Sequence, residues 1–237
     1  MKKLSLVNLN NEVNNFINVK SEGEIKKIRE LAGFTIGCFK SMKLFINSGK
    51  TQKEIASFLK QSFLRKGDGL AFPICVTSGL ELKETTASFP SDEKILNKDA
   101  IAIDAGITKD GYYSDCTRMY FLNFPEAEQN YNKLVRAHLR SIKKIKAGIF
   151  VKDVIKIYEE ELENEGLPYE TLEIEDLGHS IGFALHEVPL LCQKEYLNFK
   201  LKEGMIITLE PEIKFEKYRL RVEDMVLIGN KSEILTS

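Results

Sequence analysis

Apolar residues recur at helical spacing through Ile25, Ile28, Leu31 and Ala32, which predicts an amphipathic helix. Ser21-Glu22-Gly23-Glu24 marks its start as a capping box, Ser21 capping the first turn and Glu24 reaching back, and the pattern runs to about Asn47. Thr51-Gln52-Lys53-Glu54 repeats the signature and opens a second helix carrying Ile55, Phe58, Leu59 and Phe63. The period then changes. Residues 70–77 form an apolar, partly β-branched run that reads as a buried strand, and residues 99–107 and 112–122 read as two more. Residues 125–146 and 151–165 return to helical spacing, with Gly148 and Gly166 as breakers, and 205–213 and 219–228 close the chain as a strand pair. Helix pairs beside hairpins predict an α+β class, with helices packed on a mainly antiparallel sheet.

Two of these hairpins carry an unusual arrangement of acids. Lys109-Asp110-Gly111 is a turn signal; a type I turn centred on Lys109-Asp110, with Gly111 as a left-handed bulge, sets Asp104 directly opposite Asp115. Opposed side chains have Cβ atoms about 5 Å apart and like charges there repel, so a cation is expected between them. The same count around Glu216-Lys217 places Glu210 opposite Glu223. Arg221, two positions before Glu223, shares its face, where it either offsets a negative charge or binds an anionic substrate group. One such pair alone reads equally well as a solvated hairpin face. Two pairs embedded in apolar strands such as Ile206-Ile207-Thr208-Leu209 favour a metal site, because buried unpaired carboxylates are costly or must shift their pKa.

The chain has three histidines, His138, His179 and His186. The last two fall in a segment punctuated by Gly178, Gly182 and Pro189, a bent loop of the kind that aims side chains rather than filling a core. His138 lies inside a helical pattern and reads as structural.

Bulk composition narrows the partners. With 34 basic and 35 acidic side chains and a net charge of -1, no basic stripe is available to follow phosphates, which argues against nucleic acid. Met1-Lys2-Lys3 is followed by Asn8, Asn10 and Asn11, so no signal-peptide core forms, and no apolar run reaches bilayer length; a soluble, cytoplasmic protein without a membrane partner is expected. Cys38, Cys75, Cys116 and Cys192 lie far apart and read as reduced, mostly core thiols. The length of 237 residues fits a single domain over 1–237, with 1–20 as an N-terminal extension.

Taken together, the segments around Asp104 and Asp115, around His179 and His186, and around Glu210 and Glu223 resemble the pita-bread metallopeptidases, the group that includes methionine aminopeptidases, Xaa-Pro aminopeptidases, prolidases and creatinase. The likeness spans roughly residues 21–229. It implies a curved, mainly antiparallel sheet covered by helices in two pseudo-twofold halves. It also implies two divalent metal ions, manganese, cobalt, iron or zinc. Asp104 then chelates one ion, His179 and Glu210 bind the other, and Asp115 and Glu223 bridge both. Glu210 is implied as a proton shuttle and His186 as a substrate contact, and a homodimer is implied as well. The runs Asp110-Gly111-Tyr112-Tyr113-Ser114-Asp115-Cys116-Thr117-Arg118 and Arg221-Val222-Glu223-Asp224 resemble the Xaa-Pro branch, which cleaves the N-terminal bond of short peptides. Most Xaa-Pro enzymes carry a further N-terminal domain, and this chain resembles their catalytic domain alone.

One departure stands out. Active members place a histidine about where Thr86-Ala87-Ser88-Phe89-Pro90 stands, and residues 1–137 contain none. Ser180 also stands where the first histidine motif usually has glycine. The missing imidazole implies a slow or redirected enzyme. The alternatives are a protein of the same fold that binds a peptide or partner without cutting it, and a hydrolase for a non-peptide carbon–nitrogen bond.

Overall fold

In the computed structural model, residues 17–173, 177–191 and 194–237 are described; Cys192 and most of the N-terminal extension lie outside them. Helix α1 spans Glu22–Phe45 and α2 spans Gln52–Phe63. Both capping boxes form. Glu24 accepts from the Ser21 N–H at 2.7 Å while Ser21 Oγ accepts from Glu24 N–H, and Thr51 and Glu54 repeat the exchange. Helix α3 spans Pro125–Lys144, with proline in its first turn where no N–H is needed, and α4 spans Val151–Asn164. Among the described residues no helix is long and apolar enough to cross a membrane.

Every strand pairing among the described residues is antiparallel. Strands β1 (Gly69–Leu70), β4 (Ile107–Lys109) and β5 (Tyr112–Tyr113) form one sheet, in the order β1-β4-β5. Strands β2 (Cys75–Ser78), β3 (Asp99–Asp104) and β6 (Thr117–Leu122) form another, with β3 central. A five-stranded sheet takes β13 (Glu233–Ile234), β12 (Asp224–Leu227), β9 (Ile206–Leu209), β7 (His179–Ser180) and β8 (Glu187–Leu190) in that order, and β10 (Glu212–Lys214) pairs with β11 (Arg219–Arg221). Strand alternation divides the core. Ile101 and Ile103 join the apolar cluster of α1 and α2, whereas Ala100 and Ala102 join that of α3 and α4.

The long strands expected from sequence are each broken, and the breaks shape the site. The run 70–77 bends at Phe72-Pro73, because proline offers no N–H to a ladder and restricts the residue before it. The run 205–213 is split at Glu210-Pro211 for the same reason. The strands 99–107 and 112–122 are interrupted around Gly106 and Asp115; there a Cβ on Gly106 would lie 1.8 Å from the Ser114 carbonyl oxygen, so only glycine permits the approach.

The first hairpin corrects the expected register. Asp104 pairs with Thr117, not Asp115, and Lys109 pairs with Tyr112. The turn is the two-residue Asp110-Gly111, with φ of 52° and 81°, the left-handed pair that a type I′ turn requires and that matches strand twist better than the expected type I turn with a bulge. Asp115 lies two positions before Thr117, so the parity survives and both aspartates keep one face. The second hairpin has the expected register: Leu209 pairs with Asp224 and Glu212 with Arg221, which brackets Glu210 and Glu223 as opposed residues.

Candidate metal centre

The two acid-bearing hairpins meet through Glu223. Its N–H donates to the Thr117 carbonyl at 3.2 Å, and its Oε2 accepts from Thr117 Oγ1 at 2.8 Å. This double link carries one half of the site onto the other. Asp104, Asp115, His179, Glu210 and Glu223 are all buried, and all but Glu223 line a cavity of about 510 Å³ together with Arg221, His186 and an apolar wall that includes Phe72, Leu185 and Leu190. Ligand atoms of Asp115, His179 and Glu223 fall within 4.8 Å of one another.

His179 is oriented by its backbone surroundings. Its N–H donates to Thr208 Oγ1 at 3.0 Å, and its Nδ1 lies 3.1 Å from the Ser180 carbonyl. A carbonyl can only accept, so Nδ1 carries the proton and a neutral ring presents the Nε2 lone pair. That lone pair faces Asp115 Oδ2 and Glu210 Oε1, each at 3.6 Å. At that separation neither oxygen hydrogen-bonds to the ring.

The electrostatics repeat the point. Burial drives the Asp115 carboxyl well above the usual range, with Asp104 adding to the shift; burial also raises Glu223 strongly, and Asp115 and Asp104 push it further. Asp104 is raised by burial against the opposing pull of Arg221. Burial holds the His179 imidazole below its ordinary value. Asp104 Oδ1, Asp115 Oδ1 and Glu223 Oε1 are buried without a hydrogen-bond partner. Buried acceptors left over in this number mark a place for a cation, and the oxygen-rich, single-imidazole donor set suits a divalent first-row metal.

The Arg221 guanidinium contacts Glu210 and lies 3.9 Å from Asp104 Oδ2. His186 is exposed at the cavity, its ring edge-on to His179 at a centroid separation of 4.4 Å. The region expected to lack a histidine has its own chemistry. Thr86 is buried and its hydroxyl donates to Glu212, whose carboxylate also accepts from Arg219 at 2.8 Å, while Ala87 is exposed.

Sequence reasoning passed over the groups behind the ligands. Arg118 donates to the Glu223 carbonyl and to the Asp224 carboxylate, and to the Thr236 carbonyl at 2.8 Å. His138 meets Asp224 at 3.1 Å and Tyr158 at 2.8 Å. Burial opposes ionisation of Asp224, but Arg118, His138 and Thr236 outweigh it and hold its carboxyl below the ordinary range. His138 is structural in that it sits in the core, but it belongs to the polar network supporting Glu223. Asp224, placed directly after a candidate ligand, was the available signal.

The sequence profile of metallopeptidase family M24 matches residues 26–230. An uncharacterized peptidase of Staphylococcus epidermidis is 31% identical over 224 residues, covering 92% of this chain and 62% of that protein. An X-Pro aminopeptidase from Thermotoga maritima superimposes with a TM-score of 0.86 at 31% identity, over 96% of this chain and 64% of the other. A prolidase from Pyrococcus horikoshii gives 0.87 at 28% identity, over 97% and 66%. The chain thus spans a little under two thirds of the length of these relatives.

Proposed function

Because the chain belongs to metallopeptidase family M24 and shares its pita-bread fold, we propose that it is a hydrolase acting on the N-terminal peptide bond of short peptides, of the Xaa-Pro aminopeptidase or dipeptidase kind. The observation carrying this reading is the convergence of His179 with four buried carboxylates, three of which keep an oxygen without a partner. In this reading Asp104, Asp115, His179, Glu210 and Glu223 would together hold the divalent ions. Such ions supply Lewis-acid polarisation of the scissile carbonyl and make water acidic enough to attack near neutral pH.

The remaining work falls to side chains. Glu210, fixed by Arg221 and by Thr208 Oγ1 at 3.3 Å, accepts the proton of the attacking water and returns it to the departing nitrogen. His186, at the exposed side of the cavity, donates to the carbonyl oxygen or backbone of the substrate. Phe72, Leu185 and Leu190 offer an apolar wall that accommodates a proline ring while excluding bulk water.

The decisive measurement combines metal analysis with assays on Xaa-Pro dipeptides, tripeptides and Met-Xaa peptides, with Asp104→Ala as the blank. Wild type is expected to bind about two equivalents of metal and to release the first residue. Equal cleavage by wild type and blank would sink the proposal, and metal uptake without cleavage of any peptide would favour the peptide-binding alternative that the absent histidine motivates. Thr86 is committed to Glu212, so Ala87→His is the variant of choice. One added transition-state donor is worth about 10²- to 10³-fold, and a gain in kcat approaching that range is expected; unchanged turnover would show that the gap is not what limits this chain.

A further inference from the structure

The loop bearing His186 is held from behind by an ion pair that the proposed chemistry does not use. Lys20, just ahead of α1, donates from Nζ to Glu187 Oε2 at 2.6 Å and to the Ile17 carbonyl at 2.8 Å. The two charged side chains are 0% and 2% exposed. The other Glu187 oxygen accepts from the N–H groups of Phe183, at 2.7 Å, and Ala184, at 3.2 Å, so the loop is folded around one carboxylate. The lysine stem lies flat on the same loop: a Cβ on Gly182 would sit 2.4 Å from Lys20 Cε. At its base Lys20 is fixed to the sheet, its N–H donating to the Gly204 carbonyl at 2.9 Å beside the Val19–Met205 bridge.

Burying an ion pair costs desolvation that mutual attraction only partly returns, and well-packed apolar residues often serve stability equally well. Directional bonds to Glu187, however, do what apolar contacts cannot, which is to fix the orientation of the neighbouring residue. Glu187, the first residue of β8, faces inward onto Lys20, and the bend that ends at its neighbour His186 carries that ring to the cavity, edge-on to His179. We propose that Lys20 and Glu187 are positioning residues for His186, so that the segment preceding the first long helix sets the geometry of a substrate-facing side chain. This rests on the reading of His186 as a substrate contact.

With three histidines in the chain, the ring signals of histidine-labelled protein can be assigned by NMR using His186→Ala. Lys20→Met is expected to shift or broaden the His186 ring resonances and speed amide exchange over residues 182–187, while leaving His138 in place; Lys20→Arg should restore the wild-type pattern. In peptide assays Lys20→Met should lower kcat by about 10- to 10²-fold, the scale of a displacement near 1 Å, with bound metal unchanged. In a His186→Ala background the same change should cost little more, because both act through one group. Unmoved His186 signals, or losses that simply multiply, overturn the proposal. A chain that cleaves no peptide defeats the peptidase reading alone, and the NMR result then decides this one. Should Lys20→Met not fold, Glu187→Gln, which keeps the volume and one acceptor, is read by the same signals.

Discussion

Replacing Asp115 with asparagine is expected to change the metal-loaded and metal-free protein in opposite directions. In loaded protein the loss of a charged, proposed ligand that faces His179 at 3.6 Å and lies within reach of Glu223 should strip the metal. Metal assistance is worth several kcal/mol of barrier, so turnover is expected to fall by roughly three orders of magnitude. In metal-free protein the same change relieves crowding, since burial and Asp104 already disfavour a negative charge at this position. Asp115→Asn should therefore melt at or above the temperature of metal-free wild type and lose the rise that added metal gives the wild type through selective binding to the folded state. Parallel melting curves with and without manganese or zinc test both halves. A variant that still gains stability from metal, as wild type does, removes Asp115 from the ligand set.

Arg118→Met carries the largest expected loss of stability. The guanidinium neutralises Asp224, supports the Glu223 carbonyl and reaches the Thr236 carbonyl. Removing one member of a buried charge pair strands the other, at a cost of about 3–5 kcal/mol, which for a chain of this size lowers Tm by roughly 6–20 °C. Freed backbone at Glu223 should also weaken metal binding by about 10- to 100-fold, as is usual for partners that orient ligands. Thermal unfolding followed by metal titration below the new Tm checks both. A variant whose affinity stays at the wild-type value while its Tm falls would confine Arg118 to a structural part.

Much of this was legible in the sequence because it is local. Capping boxes at Ser21 and Thr51 and the proline opening α3 are decided within one turn of helix, and the structure has them where the residues place them. The register of the second hairpin was legible too, because counting outward from the loop centre at Glu216-Lys217 gives the pairing found, Leu209 with Asp224 and Glu212 with Arg221. The first hairpin was miscounted by a single turn type. Asp110 tolerates a positive φ better than most residues, and with Gly111 it makes the tighter turn, which shifts Asp115 from opposite to diagonal. What could not be read were contacts that no local pattern encodes. Lys20 meets Glu187 across 167 positions and Arg118 meets Asp224 across 106. Lysine and glutamate are ordinarily surface residues, so nothing in their neighbourhood announced a burial that only the finished fold creates.

The double link between Thr117 and Glu223 also bears on how the molecule assembles. It closes a loop of more than a hundred residues, and the entropy of that closure must be met before either carboxylate pair finds the other. Neither hairpin holds the complete set of proposed ligands by itself, so that set comes together only when the two halves dock. Under the proposed function, acquisition of the metal becomes a readout of finished folding, and a chain arrested halfway offers no high-affinity trap for stray ions.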